Sequence, residues 1–282
     1  MLPHSKGVKS TIFYKMSGHG NDFIVLNGGA ALNGIDWREC ATRWCSRRTS
    51  VGADGLLVIE PSEMADFKLR IFNADGSEAE MCGNGARCAA RFAELQGIAG
   101  SSMTFETTAG MIGATTEQDT VSIRLTEPKA VDSDILLNIN GTELHVCVVD
   151  PGVPHSIVFR DHVMEMPADE VIAMGRAIRN HPTFDPGGTN VDFVEVMGPS
   201  LIRVRTYERG VEAETMACGT GAVASAIVSH LYRGAGDSPI AVQMPGGVLT
   251  VEFQQEGEAF TDVWLKGEVH CIYKGETTHW SS

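Results

Sequence analysis

Two cysteines in this 282-residue chain stand in settings suited to moving a proton: Cys82, followed by Gly83-Asn84-Gly85, and Cys218, followed by Gly219-Thr220-Gly221. An alanine-rich stretch of helical character follows each. Glycine allows backbone to come close to a ligand, and the first turn of a helix carries N–H groups with no intrahelical partner. Together with the positive end of the helix dipole, those groups favour an anion, either a thiolate or a bound carboxylate. One cysteine so placed is a candidate nucleophile or base. Two in matched settings suggest two thiols facing one substrate from opposite sides.

The match extends beyond the cysteines. RIFNADGSEAEMCGNGARCAARF (70–92) and RTYERGVEAETMACGTGAVASAI (205–227) each run from an alternating strand through a polar turn to the cysteine. Cys82 and Cys218 are 136 residues apart, and so are Asp54 and Asn190, and Gly110 and Gly246. Asn21 and Val153, each near the start of an apolar run, are 132 apart. Landmarks repeating in order at one offset point to a duplicated unit. The expected fold is therefore α/β in two pseudo-symmetric halves, 11–130 carrying Cys82 and 131–275 carrying Cys218, with both Cys-led helices aimed at a cleft between them.

The elements that must position the thiols follow from periodicity and turn chemistry. Strands are expected at 11–16, 23–26, 56–59, 67–72, 103–107, 111–116 and 121–125 in the first half. In the second they are expected at 143–149, 191–196, 201–207, 240–244, 248–253 and 259–273. Helices are expected at 36–48, from Cys82 to about Gln96 with Gly97 ending it, at 167–179, and from Cys218 to about Arg233. Residues 1–10 read as a loose tail, and His19 as a loop histidine. Cys40 and Cys45 read as core or part-buried thiols and not as a ligand pair, and Cys88, one and a half turns past Cys82, faces away from the site.

Composition narrows the function. The net charge is −14, without a basic run, which argues against nucleic acid and against an anionic membrane surface. No stretch has the apolar length of a membrane span. Seven cysteines at irregular spacing, with no C-x-x-C, give neither a zinc ribbon nor a thioredoxin motif and suit a reducing, cytoplasmic setting. Asn21 reads either as a turn residue or as an amide able to meet both ends of a zwitterion. His155 reads by itself as a structural histidine after a Pro turn. Glu208 and Arg209 read as a solvated pair or, nine and ten residues ahead of Cys218, as part of a site.

The motifs resemble those of the diaminopimelate epimerase family. The resemblance is carried by Gly20-Asn21-Asp22-Phe23, Gly52-Ala53-Asp54-Gly55, the run from Phe72 to Cys88, Gly152-Val153-Pro154-His155, Gly188-Thr189-Asn190-Val191-Asp192, Tyr207-Glu208-Arg209-Gly210 and Ala217-Cys218-Gly219-Thr220-Gly221. It implies a mostly antiparallel or mixed sheet wrapped around a central helix in each half. It also implies cofactor-independent two-base inversion of LL-2,6-diaminopimelate to the meso form, in lysine and peptidoglycan precursor synthesis. By the same resemblance Cys82 and Cys218 are the acid–base pair, and His155 and Glu208 tune the thiols. Asn21, Asn73, Gly83, Asn84, Asn190, Glu208, Arg209, Gly219 and Thr220 hold the substrate, and no metal is needed.

A helix end lowers a thiol pKa by about one unit from ~8.5, so downward-shifted thiols are expected here. Val153 stands where many members carry a substrate-binding asparagine, and Gly55 where some carry a glutamine. The expected partner is a small amino acid, with a homodimer admissible. The competing readings are a two-thiol racemase of another amino acid, as in the proline racemase relatives, and a thiol redox protein.

Overall fold

The computed structural model describes residues 10–29, 34–129 and 131–278. The expected loose tail at 1–10 falls, apart from Ser10, outside the described residues. The chain divides into two compact units, Met1–Val121 with Val269–Ser282, and Ser122–Glu268.

The first unit begins with β1 (Ser10–Gly18) and β2 (Asn21–Asn27), an antiparallel pair. Helix α1 (Trp37–Trp44) then carries the chain across to β3 (Gly55–Glu60), which lies parallel to β2. Asp36 starts α1 by accepting from the N–H groups of Arg38 and Glu39. The helix is shorter than the sequence suggests: it stops at Trp44, and Arg48, expected inside it, has φ +75°. Trp37, Ala41 and Trp44 form its buried face, against Ile24, Leu26, Leu56, Val58 and Phe72. β4 (Phe67–Asn73) returns antiparallel to β3, and the two-residue β5 (Glu78–Ala79) leads to α2 (Gly83–Leu95). β6 (Ser102–Thr107) pairs parallel with β4, and β7 (Gly110–Glu117) antiparallel with β6. α2 packs against β1, β2, β3, β4 and β7, as the central helix of a sheet curled around it.

The second unit repeats this plan. β8 (Thr120–Arg124) lies at the division. β9 (Asp132–Ile139) and β10 (Thr142–Val149) form a hairpin, and β10 pairs antiparallel with β11 (His155–Phe159). Helix α3 (Ala168–Arg179) crosses to β12 (Asn190–Gly198), parallel to β11. β13 (Leu201–Glu208), β14 (Ala213–Thr215) and α4 (Gly219–Tyr232) follow as β4, β5 and α2 do. β15 (Ile240–Met244) is parallel to β13, and β16 (Gly247–Glu256) and β17 (Ala259–Glu268) extend antiparallel. α4 is buried on all sides from Gly221 to Ser229, as a helix enclosed by a sheet must be. The mixed, sheet-dominated architecture in two repeated halves is the one the sequence implies.

Two departures have clear causes. β9 is missing from the sequence reading because only Leu137 in it is buried; its polar, exposed faces carry little alternation signal. The run 259–273, read as one closing strand of the second half, breaks at Val269. Its continuation, β18 (His270–Thr278), pairs antiparallel along the whole of β1 in the first unit. Long-range pairing of that kind leaves no mark on local periodicity.

Candidate active site

In the first unit, Cys82 is the N-cap of α2, with extended backbone (φ −146°, ψ 116°), and its sulfur accepts from the Gly85 N–H at 3.4 Å. The sulfur also lies 3.8 Å from Oδ1 of Asn21. That oxygen accepts from the Asn84 amide at 3.4 Å, while the Asn21 amide donates to Asp54 Oδ2 at 2.7 Å. The turn carrying Asn21 is pinned by charge. Asp22 meets Lys15 at 2.6 Å and Arg47 at 2.6 Å, and Arg47 also meets Asp54 at 2.7 Å. Burial pushes Asp22 up, but the bonds from Arg47 and Lys15 outweigh it and hold its carboxyl at about 2.

Behind Asn84 is a residue that sequence reasoning passed over. Arg87 is fully buried, and its guanidinium donates to Asn84 Oδ1 at 2.6 Å. Its Nε and Nη1 have no hydrogen-bond partner among the described residues. Burial pushes it down to about 10, and the thiols of Cys88 and Cys82 act in the opposite direction. The two amides between Arg87 and Asp54 are thus oriented from both ends: a donor fixes the Asn84 carbonyl, and an acceptor fixes the Asn21 amide. Asn21 Oδ1 is left facing the sulfur. The signal in the sequence was an arginine inside an otherwise small and apolar helix face. His19, the expected loop histidine, sits in the β1–β2 turn at φ 55° with Nδ1 3.4 Å from Arg87. Cys88 is in the core, as expected, and burial pushes its thiol up to about 12. Asn73 is exposed and bonds Ser77 at 2.9 Å. Gly55 has a steric reason: a Cβ there would lie 2.8 Å from the Phe72 carbonyl oxygen.

In the second unit, Cys218 is the N-cap of α4, 7% exposed, with its sulfur 3.4 Å from the Thr220 hydroxyl. That hydroxyl is 2.9 Å from Nε2 of His155, and Nδ1 of His155 is 2.6 Å from Asp192 Oδ2. His155 and Asp192 are both fully buried. Asn190 occupies its amide within the protein. It donates to the Pro154 carbonyl at 3.1 Å, lies 3.3 Å from His155 Nε2, and accepts from the Arg209 N–H at 2.8 Å. Arg209 is half-buried, its guanidinium 3.2 Å from the Gly187 carbonyl, so it is not a solvated surface group. Burial pushes the half-buried Glu208 up, and Asp192 adds to this while His155 opposes it.

The expectation of a lowered thiol fails for Cys218. Burial drives it well above its ordinary value, Glu208 and Asp192 drive it further, and the Thr220 hydroxyl opposes them only in part. Desolvation of a nearly enclosed sulfur is larger than the roughly one unit a helix end supplies. No disulfide joins any of the seven cysteines.

The architecture, in each half a sheet wrapped around a central helix, is shared as a fold with several solved structures. The Bacillus anthracis phenazine biosynthesis protein of the PhzF family matches with a TM-score of 0.74 at 17% identity, over 95% of this chain and 99% of that one. A hydroxyproline epimerase from Agrobacterium vitis, with bound trans-4-hydroxy-L-proline, matches at 0.71 and 14%, over 95% of this chain and 92% of that one. At these identities the likeness is one of fold. The family model for diaminopimelate epimerase matches residues 13–131 and 147–272. Diaminopimelate epimerase of Aquifex aeolicus is 42% identical over 93% of this chain and 96% of its own length, and that of Caldanaerobacter subterraneus 41% over 94% and 98%. The chain belongs to the diaminopimelate epimerase family, and with it to the isomerases.

Proposed function

We propose that the chain inverts the α-carbon of LL-2,6-diaminopimelate to give the meso form, without pyridoxal phosphate, in the synthesis of lysine and peptidoglycan precursors. The observation that carries this reading is the pair of cysteine N-caps in one repeated β–β–α frame, on a chain of this family. Inversion needs a base on one face of the carbon and an acid on the other, since a single base tends to return the proton where it came from. Cys82 and Cys218 take these roles, one as thiolate and one as thiol, exchanging them with direction. Each comes from one half of the sequence division, 11–130 and 131–275.

The α-carboxylate binds to the helix-start N–H groups of Gly83-Asn84 and Gly219-Thr220, which also stabilise developing negative charge. Asn21, Asn73 and Asn190 supply amide contacts. Arg209 pairs with the distal carboxylate through its planar fork, and Glu208 with the distal ammonium. His155 and Glu208 tune the thiols.

The decisive experiment is incubation with LL-diaminopimelate in deuterated water without added cofactor. Meso product carrying deuterium at the inverted carbon is expected, with Cys82→Ala and Cys218→Ala each abolishing turnover. Full product formation by either variant would overturn the two-thiol assignment. The racemase-like fold neighbours keep one second reading open, a two-thiol racemase of a different amino acid. Unchanged activity of Arg209→Met on the true substrate would favour it.

No helix among the described residues is long and apolar enough to cross a membrane. With a charge of −14 and a biosynthetic family, we place the protein in the cytoplasm with no nucleic-acid partner. A homodimer is the assembly to test, by sedimentation equilibrium.

A further inference from the structure

We infer that Asp192 is a positioning residue that fixes the tautomer of His155 and so makes Thr220 a proton relay between Cys218 and the imidazole. The inference rests on the proposed role of Cys218. It goes beyond that role by assigning Asp192 and by giving the Thr220 hydroxyl a second task besides substrate contact.

The geometry supplies each link. A carboxylate can only accept, so the 2.6 Å contact between Asp192 Oδ2 and His155 Nδ1 places a proton on Nδ1. The other carboxylate oxygen is occupied: Oδ1 accepts from the Thr206 hydroxyl at 2.6 Å. With Nδ1 protonated, Nε2 of the neutral ring is a lone pair. It faces the Thr220 hydroxyl at 2.9 Å and the Asn190 amide at 3.3 Å, both able to donate to it. The Thr220 oxygen, having given its proton towards Nε2, is free to accept from the Cys218 thiol at 3.4 Å. The direction of the whole chain is therefore set from its buried end.

The transfer balances within the chain. The S–H bond of Cys218 breaks and its proton goes to the Thr220 oxygen. The Thr220 O–H proton goes to Nε2, leaving a thiolate and an imidazolium. The imidazolium is held by the Asp192 carboxylate, so no outside acid or base is consumed. Such a carrier suits this thiol, because a sulfur nearly enclosed by protein and facing acidic groups has little help from water in losing a proton. The charged and titratable groups around the relay, among the described residues, are Asp192 on β12, Glu208 on β13 and Cys218 at the start of α4. Glu208 acts on both the thiol and the ring by field.

Local sequence supports the arrangement. Asp192 is two residues from Asn190, on the same face of β12, and β12 runs parallel beside β11 with Asn190 opposite His155. Gly221 has no side chain where one would strike the carboxylate: a Cβ there would lie 2.5 Å from Asp192 Oδ1.

The test uses the full-length protein labelled with ¹⁵N-histidine. In the wild type above pH 8, the His155 resonances are expected to show a protonated Nδ1 and a bare Nε2; a proton on Nε2 would overturn the inference. In Asp192→Asn the imidazolium loses its counter-charge. The ring becomes a weaker base, so the acidic limb of the kcat/KM profile is then expected to move down in pH, with kcat at pH 7 falling by about tenfold or more and KM little changed. A purely structural role would lower the amount of active protein and leave the limb in place, and that result would also refute the inference.

Should Asp192→Asn not fold, the half-buried Thr220 offers a second route. Thr220→Ser is expected to keep the profile and Thr220→Val to shift it, and equal profiles for the two would overturn the relay. If the wild type fails to turn over LL-diaminopimelate, the functional reading is lost, while the NMR result still decides the tautomer.

Discussion

The same substitution at the two equivalent glycines, Gly85→Ala and Gly221→Ala, is expected to give very different results. Both occupy the third helical position after a capping cysteine, and neither has a positive φ that would strain alanine. At Gly85 the new Cβ meets the Leu57 Cδ2 methyl at 3.2 Å and the Cys82 Cβ and Sγ at 3.5 and 3.6 Å. A methyl at the end of a side chain can yield by a few tenths of an ångström, and alanine gains up to about 1 kcal/mol of helix propensity over glycine. Gly85→Ala should therefore change stability by no more than about 1 kcal/mol.

At Gly221 the Cβ would stand 2.5 Å from Asp192 Oδ1 and 3.2 Å from Thr206 Oγ1. To regain ordinary contact the carboxylate must retreat by roughly 0.9 Å, and its bonds to His155 and Thr206, both 2.6 Å, cannot survive unchanged. Overpacking costs about 1–3 kcal/mol and a weakened charged hydrogen bond about 1.5–3. With the propensity gain subtracted, the net loss is about 1.5–5 kcal/mol. Urea unfolding followed by circular dichroism, compared at equal m, measures both variants. Equal midpoints for the two, or a larger loss at Gly85, would refute the packing of Asp192 beneath α4.

Four further outcomes are expected. The depressed Asp22 carboxyl contributes stability that is present above the unfolded-state pKa of 3.8 and is lost as pH falls through about 2. Discounted for solvent screening of a partly exposed group, Asp22→Asn should remove about 1 kcal/mol at pH 7 and flatten stability between pH 4 and 2, which acid titration by fluorescence would read. Arg87→Met should leave thermal stability unchanged or slightly higher, because an incompletely bonded buried charge is replaced by an apolar side chain. It should still lower turnover at least tenfold by releasing Asn84 and Asn21, and equal losses of stability and activity would contradict this. Gly175→Ala should destabilise by about 1–3 kcal/mol, seen as a lower melting temperature, since its Cβ would lie 2.4 Å from the Cβ of the buried Tyr207. Arg209→Met should raise KM for LL-diaminopimelate at least tenfold in steady-state assays with a smaller effect on kcat.

The sequence by itself determined the duplication, the two cysteines at helix starts and most of the elements, while the family came from the resemblance of its motifs. These rest on local signals: glycines where a turn or close approach requires them, alternation in half-buried strands, and a constant offset between repeated landmarks. It also placed Cys88 in the core from helical spacing alone. Tertiary structure decided how the repeated frame was put to use. Asn84 and Thr220 hold the same place after their cysteines, yet one joins an amide chain between Arg87 and Asp54 and the other joins a chain to His155 and Asp192. The return of β18 to β1, the burial that raises Cys218, and the meeting of Asp192 with His155 all depend on which strands lie side by side and in what register. Periodicity records which face of an element is covered, but the identity of the covering side chain is set by contacts far along the chain.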